Sequence, residues 1–404
     1  MKHVYYSFLL LLLLPILAFG QHKMVAIEDA DSKLIGTGYP STYQLAELAG
    51  VIYPDMNTTK WATQVKNIEG SKHNSPTDRA QGQKVYNSSP AREAAGKTNT
   101  DPVISSNFEA NWSVNSTPPD NTIAISNGGF IVSANNDGIE VYNESGALQY
   151  FDFWEDFVND PALNSSLYDP KVIYDSQADR FVLILLHGST STTSKVLVCF
   201  SQSNNPTQGW WVYQLNGNVL NNNTWFDYPN VAVSDHDVFV TGNLYDNNDA
   251  FDQSIILQIP KAEGYAGQNL NWVYWNNFGS TPFPAFTIMP AGYGHQGNYG
   301  PGIYLVSNRP GGSSSIRLYE ITNRSNASPV INFYSANTTA YSPAIDSDQL
   351  GSSDKLDNRD NRLQHAFYLG GIIHFTFHSD IGQSWNGINY NRLNVSQVTN
   401  QSST

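Results

Sequence analysis

Three aspartates stand at matching places ahead of paired β-rich runs. Asp120 precedes TIAIS and FIVSA, Asp169 precedes KVIYD and RFVLILL, and Asp227 precedes NVAVS and VFVTG. If each opens the innermost strand of a repeated unit, all three carboxylates gather at one mouth of a central channel. Two carboxyl groups about 5–10 Å apart can cleave a glycosidic bond, one as acid and the other as base or nucleophile. The same residue type can instead cap its turn by accepting backbone N–H groups, and repetition in several units favours that structural job. An acidic rim holding a cation is a third use of the set. The catalytic use requires at least two of them to face each other across a pocket with unpaired oxygens, and placement on unrelated faces would remove it.

Other residues offer weaker chemistry. Asp346, Asp348, Gly351 and Asp354 match positions one, three, six and nine of a Ca²⁺ loop, with Asp357 at position twelve. Leu350 at position five and Asp rather than Glu at position twelve depart from that pattern. Ca²⁺ is the one cofactor candidate, set against a solvated acidic loop. His374 and His378 lie four apart in a strand, about 13 Å of rise, and cannot share a metal. There is no HExxH helix, GxSxG elbow or phosphate-cradling glycine loop. Among the tryptophans, Trp211, Trp272 and Trp275 are expected to pack between units. Trp225, Tyr228 and Trp154 are candidates for stacking on a sugar ring, since an aromatic offers an apolar face and a polar edge.

The elements that must position these residues are short strands. Runs such as TIAIS, FIVSA, GIEVYN and ALQYF follow one another through turns at Asn127-Gly128, Asn136-Asp137-Gly138 and Ser145-Gly146, which accept positive φ. Four such runs recur per unit, at a repeat length typical of propellers. The expected fold is all-β, a β-propeller of about five four-stranded blades, or six with strand sharing, or truncated at the C-terminus. The fifth unit shows three strands, and ISSNFEANW (104–112) is a candidate to complete it. KAEGYAG offers one helical turn.

The N-terminal residues 1–20 read as a signal peptide: Lys2 and His3, an apolar core, then Ala18-Phe19-Gly20. A membrane anchor is the competing reading, but the apolar run is short for a bilayer. Residues 21–103 are polar, aperiodic and poor in large apolar side chains, so a mostly disordered segment is expected there. The propeller domain is placed at 104–404. Net charge is −14, which argues against nucleic acid and anionic membrane surfaces as partners. Cys199 is the single cysteine, so no internal disulfide forms and packing must hold the fold.

Several motifs together resemble a poorly characterised family of secreted bacterial β-propeller proteins. They are Pro118-Pro119-Asp120-Asn121-Thr122, Asp169-Pro170 through Asp179-Arg180-Phe181, Phe226-Asp227-Tyr228-Pro229, and Leu356-Asp357 through Arg362-Leu363. The resemblance covers roughly 115–378. Asn361 stands where that family often has Asp. The resemblance implies a propeller and export, and no particular reaction. The leading expectation is an exported propeller that binds a glycan or an extracellular protein, at the cell surface or beyond it. The alternative is a polysaccharide-active enzyme, a glycoside hydrolase or lyase, that uses the mouth-facing aspartates.

Overall fold

A computed structural model describes residues 118–399, except 164–166, 279–284, 294–298, 349–350 and 383–384. It also describes positions 107, 108, 110, 111 and 116 and the backbone of three short strands upstream. The proposed signal peptide lies outside the described residues.

The chain forms a β-propeller, and its sheets follow one another in sequence order. Sheet 1 comprises Thr122–Ile125, Ile131–Ala134, Gly138–Tyr142 and Leu148–Phe153. Sheet 2 comprises Leu167–Asp175, Arg180–His187, Lys195–Ser201 and Trp210–Asn216. Sheet 3 comprises Thr224–Val233, Asp237–Asp246, Phe251–Pro260 and Leu270–Trp275. Sheet 4 is built from Met289–Pro290, Ile303–Ser307, Ser313–Ile321 and Ile331–Tyr341. Sheet 5 is built from Gly292–Tyr293, His365–Leu369, Ile372–Asp380 and Asn386–Asn394. The innermost strand of every sheet contributes to one central channel, which Thr122, Lys171, Val231, Met289, Gly292 and His365 help to line.

Side-chain alternation explains why the strands of the middle sheets are apolar on both faces. In Arg180–His187, Phe181, Leu183 and Leu185 pack with Val132, Ile139 and Val141 of sheet 1. Their neighbours Val182, Ile184 and Leu186 pack with Val238, Val240 and Leu257 of sheet 3. A strand buried on both sides needs no polar alternation, hence the run FVLILL. Further cores join sheet 3 to sheet 4 through Phe239, Ile256, Leu305 and Tyr319, and sheet 4 to sheet 5 through Val306, Leu318, Ile373 and Phe375. Cys199 is fully buried between sheets 1 and 2, and burial pushes its thiol pKa up.

Sheets 1 and 5 each turn one face away from these cores. Ile123 and Ile125 are 66% and 51% exposed, and Phe367, Leu369, Ile388 and Tyr390 are exposed on sheet 5. A buried ion pair locks sheet 2 to the end of sheet 3. Lys261 Nζ lies 2.8 Å from Asp175 Oδ2, and the Tyr265 hydroxyl donates to the same carboxylate at 3.0 Å.

Two expectations need correction. The fourth strand of sheet 5 is not 104–112 but Gly292–Tyr293, which pairs in parallel with Phe367 and Tyr368. Phe108 and Asn111 of the upstream stretch lie on sheet 1 instead: Phe108 packs on Tyr142 at 5.3 Å, and the Asn111 amide donates to Glu140. Nor is all of 21–103 detached. Val25–Ala26, Lys33–Gly38 and Pro40–Tyr43 pair with the outer edges of sheets 4, 3 and 2. A free edge offers unpaired N–H and C=O groups that even a polar segment can satisfy, so low hydrophobicity does not prevent this. The expected turn at KAEGYAG is present as the helix Lys261–Tyr265, and a second short helix, Trp154–Val158, closes sheet 1.

Candidate functional site

The inner strands begin with an unusual backbone. Asp120, Asp169, Tyr228 and Thr287 all have positive φ, 45°, 51°, 57° and 56°, at the mouth ends of sheets 1 to 4. Such φ values are uncommon outside glycine, and are most tolerable for Asp and Asn. In sheets 2 and 3 the strand register slips just there, between Tyr168 and Lys171 and between Asp227 and Asn230. The kink lifts one side chain out of the strand toward the mouth. Bulges that re-aim side chains in this way are common beside functional sites.

This geometry brings Asp120, Asp169 and Asp227 together, as the sequence led us to expect. Asp169 is central, and its carboxyl interacts with those of both Asp120 and Asp227. Burial, the Asp227 charge and the contact with Asp120 push its pKa from the ordinary 3.8 up to about 7. Burial also raises Asp227, while the Tyr228 amide and the Arg362 charge pull the other way. Asp169 therefore holds its proton well above the ordinary carboxylate range and titrates together with its partners, as carboxylates in contact must. The contact also means that these acids do not face each other across a gap. They form one proton-sharing group, of which Asp120 and Asp227 line a cleft.

The group is held by the Asn135-Asn136-Asp137-Gly138 turn of sheet 1. Asn136 Nδ2 donates to Asp120 Oδ2 at 2.9 Å, while Asn136 Oδ1 accepts the Asp169 amide at 2.7 Å. Of the three, only Asp227 takes a backbone N–H from its own turn, that of Tyr228. Capping is thus not their common role. Asp120 and Asp169 share the positive-φ position, whereas in sheet 3 that position belongs to Tyr228 and Asp227 comes one residue earlier.

A cleft of about 1110 Å³ opens over Asp120 and Asp227, with Trp225, Tyr228, Tyr245 and His378 in its lining. Tyr228 is half-buried, and the Arg362 guanidinium sits 4.7 Å over its ring. Arg362 also stacks on Phe286 at 4.5 Å and grips Asp360 through Nε at 2.7 Å and a terminal nitrogen at 2.5 Å. Trp225 is only 9% exposed; its Nε1 donates to Asp246 O at 3.0 Å and its ring leans on Tyr245 at 5.6 Å. It supplies a wall rather than a free stacking platform. Burial raises the hydroxyl pKa values of Tyr168, Tyr228 and Tyr245, so all three stay neutral donors.

Trp154 is not a ligand residue. It is 2% exposed, packs edge-on against Phe157, and donates its indole N–H to Asn135 O at 2.8 Å. Its place at the start of a helix that folds back onto sheet 1 buries it. Trp272 and Trp275 are buried between sheets, as expected. The acidic loop does not assemble as a Ca²⁺ site. Asp346, Asp348, Asp354 and Asp357 are exposed; Asp348 pairs with Lys355 at 3.3 Å across a two-residue strand pair, and Asp357 lies 3.7 Å from Arg359. Among the described residues no group of three His, Cys, Asp or Glu side chains could hold a metal ion.

Arg362 and Asp360 were missed as site residues. They lie in the motif that ends at Leu363, but its meaning depends on a loop that returns to the mouth more than a hundred residues after Asp227. Tyr168 and Tyr245 carried no signal beyond their residue type.

No family model matches the chain, and no curated protein sequence matches it. Solved structures with a similar course of strands include the polysaccharide lyase Uly1, at 12% identity and TM-score 0.39 over 68% of this chain and 58% of that one. The chain thus spans less than two thirds of the lyase. The α-L-arabinofuranosidase PaAbf62A from Podospora anserina, in complex with cellotriose, is similar at 11% identity and TM-score 0.34, over 68% of this chain and 90% of that one. The GH43 endo-arabinanase from Bacillus licheniformis is similar at 12% identity and TM-score 0.26, over 68% of this chain and 93% of that one.

Proposed function

We propose that this protein is an exported polysaccharide-active enzyme that cleaves its substrate by general acid–base chemistry at the mouth of the channel. The observation that carries this reading is the Asp169 carboxyl, whose pKa stands near 7 beside Asp227, itself in the lining of a roomy cleft. A proton donor is most effective when its pKa lies near the working pH. Asp169 is the donor and Asp227 the base, with Asp120 and Asn136 fixing the position of Asp169. The cleft lining also offers the neutral hydroxyls of Tyr228 and Tyr245 and the Arg362 cation, suited to an oxygen on which charge develops. The aromatic and polar lining, and a volume well above that of one sugar ring, fit a chain of sugars rather than a compact metabolite.

This places the enzyme reading ahead of glycan binding alone. The acids touch one another, so the wide separation of a two-carboxylate glycosidase does not apply to the Asp169–Asp227 pair itself. The deciding experiment incubates the purified protein with a polysaccharide panel and scores bound polymer, new reducing ends and unsaturated sugar ends. New ends from wild type, and none from Asp169→Asn with binding kept, support the reading. Binding without new ends for any polymer would leave a binding protein.

A further inference from the structure

The channel beneath the mouth has a charge pattern opposite to that of the protein. The chain carries a net −14, yet no Asp or Glu is among the described residues lining this cavity of about 750 Å³. Among the described residues its charged or chargeable lining, tyrosines aside, is Lys171 and His365, set among Ile123, Ile173, Val231 and Phe367. Lys171 is half-buried and makes no hydrogen bond or ion pair with a described residue. His365 is close enough to feel the Lys171 charge. An ammonium without an ion-pair partner beside apolar side chains can take that partner from a ligand. Gln364 lines both this channel and the cleft, so the two spaces adjoin. Lys171 follows Asp169 by two residues on the same inner strand.

We propose that the channel is a subsite for an anion carried on a sugar, held by the Lys171 ammonium and the His365 ring, and that the substrate is therefore an acidic polysaccharide. The anion is a uronate carboxylate or a sulfate ester. This inference rests on the cleft being the site that handles polysaccharide. The Lys171 charge reaches Asp169 and lowers its pKa, but no ion pair joins the two. The acidic surface elsewhere repels polyanions, so a preference for them must arise at a local cation.

The test uses the full chain and four probes: polygalacturonate, its methyl-esterified form, a sulfated galactan and a neutral glucan. Binding is measured by calorimetry at low salt and cleavage by new chain ends. Wild type is expected to bind a charged polymer roughly ten- to a hundredfold tighter than the esterified or neutral ones. Lys171→Met should erase that preference and Lys171→Arg should keep most of it. If Lys171→Met fails to fold, His365→Gln reports the same preference. Preference for polygalacturonate identifies a carboxylate, and preference for the galactan a sulfate. Equal binding of charged and esterified polymers by wild type overturns the proposal, as does a preference that survives both substitutions. Anion preference without chain cleavage would leave the subsite and refute the reaction. Cleavage confined to neutral polymers would do the reverse.

Discussion

Replacing Asp169 by Asn separates the shape of this side chain from its charge. Its pKa is 3.8 ordinarily and about 7 in the fold. Between those values the folded protein holds a proton that the unfolded chain has released. Stability therefore falls as pH rises from about 4 to about 7, and is level beyond that. A rise of that size corresponds to about 4 kcal/mol. Proton sharing with Asp227 and partial solvent access reduce the expectation to about 2–3 kcal/mol. Asn is neutral at every pH and its amide can donate where the protonated carboxyl did. The variant should therefore match wild type within about 1 kcal/mol near pH 5 and exceed it by about 2–3 kcal/mol near pH 8.5. Urea unfolding followed by tryptophan fluorescence at both pH values reads this directly. The same variant should lose activity by roughly 10²–10⁴-fold, the usual worth of a positioned proton donor. A stability gain that costs activity is what a strained site shows. If Asp169→Asn is instead less stable than wild type near pH 8.5, the carboxyl is ionised and held by donors, and its assignment as proton donor fails.

Three other outcomes follow from the geometry. Lys261→Met strands the buried Asp175 charge and should cost about 3–5 kcal/mol in chemical unfolding, whereas adding Asp175→Asn should recover much of it. Trp154→Phe should cost about 1–2 kcal/mol through the lost Asn135 hydrogen bond without changing polysaccharide affinity, while Trp225→Ala should weaken affinity measurably in the same calorimetric assay. Arg362→Gln removes the cation that restrains the Asp227 pKa. Asp227 must lose its proton to act as base, so the acidic limb of the activity profile should move to higher pH; an unmoved limb would show that Arg362 does not act on the carboxylates.

Much of the sheet pattern was legible because it depends on local signals. Hairpin turns such as Asn136-Asp137-Gly138 announce themselves, and a strand such as FVLILL can hardly sit anywhere but between two apolar layers. Convergence of Asp120, Asp169 and Asp227 followed from their shared offset before the inner strands. What the sequence concealed was register. Asp227 is displaced by one residue because the kinked position in sheet 3 falls on Tyr228; in sheets 2 and 3 that position is the residue before proline, Asp169 before Pro170 and Tyr228 before Pro229. Direct contact among the carboxylates, rather than a gap between them, depends on sub-residue geometry. The parallel strand Gly292–Tyr293 was hidden by its length, since two residues carry no period. Trp154 looked like the other tryptophans because burial by a single helical turn depends on what the turn folds against.

The four apolar layers among five sheets also bear on how the molecule comes apart. Sheets 2, 3 and 4 are clamped on both faces, and sheets 1 and 5 on one, so coupling runs as a chain of nearest neighbours. Opening should begin at its ends, and amide exchange should be fastest in sheets 1 and 5. The mouth draws its parts unevenly from this chain. Asp120 belongs to sheet 1 and Arg362 to the loop leading into sheet 5, while Asp169 and Asp227 stand on the doubly clamped interior. Partial opening would therefore remove the neighbour and the opposing cation before it disturbs the proton-sharing pair, and activity would fade well ahead of global unfolding.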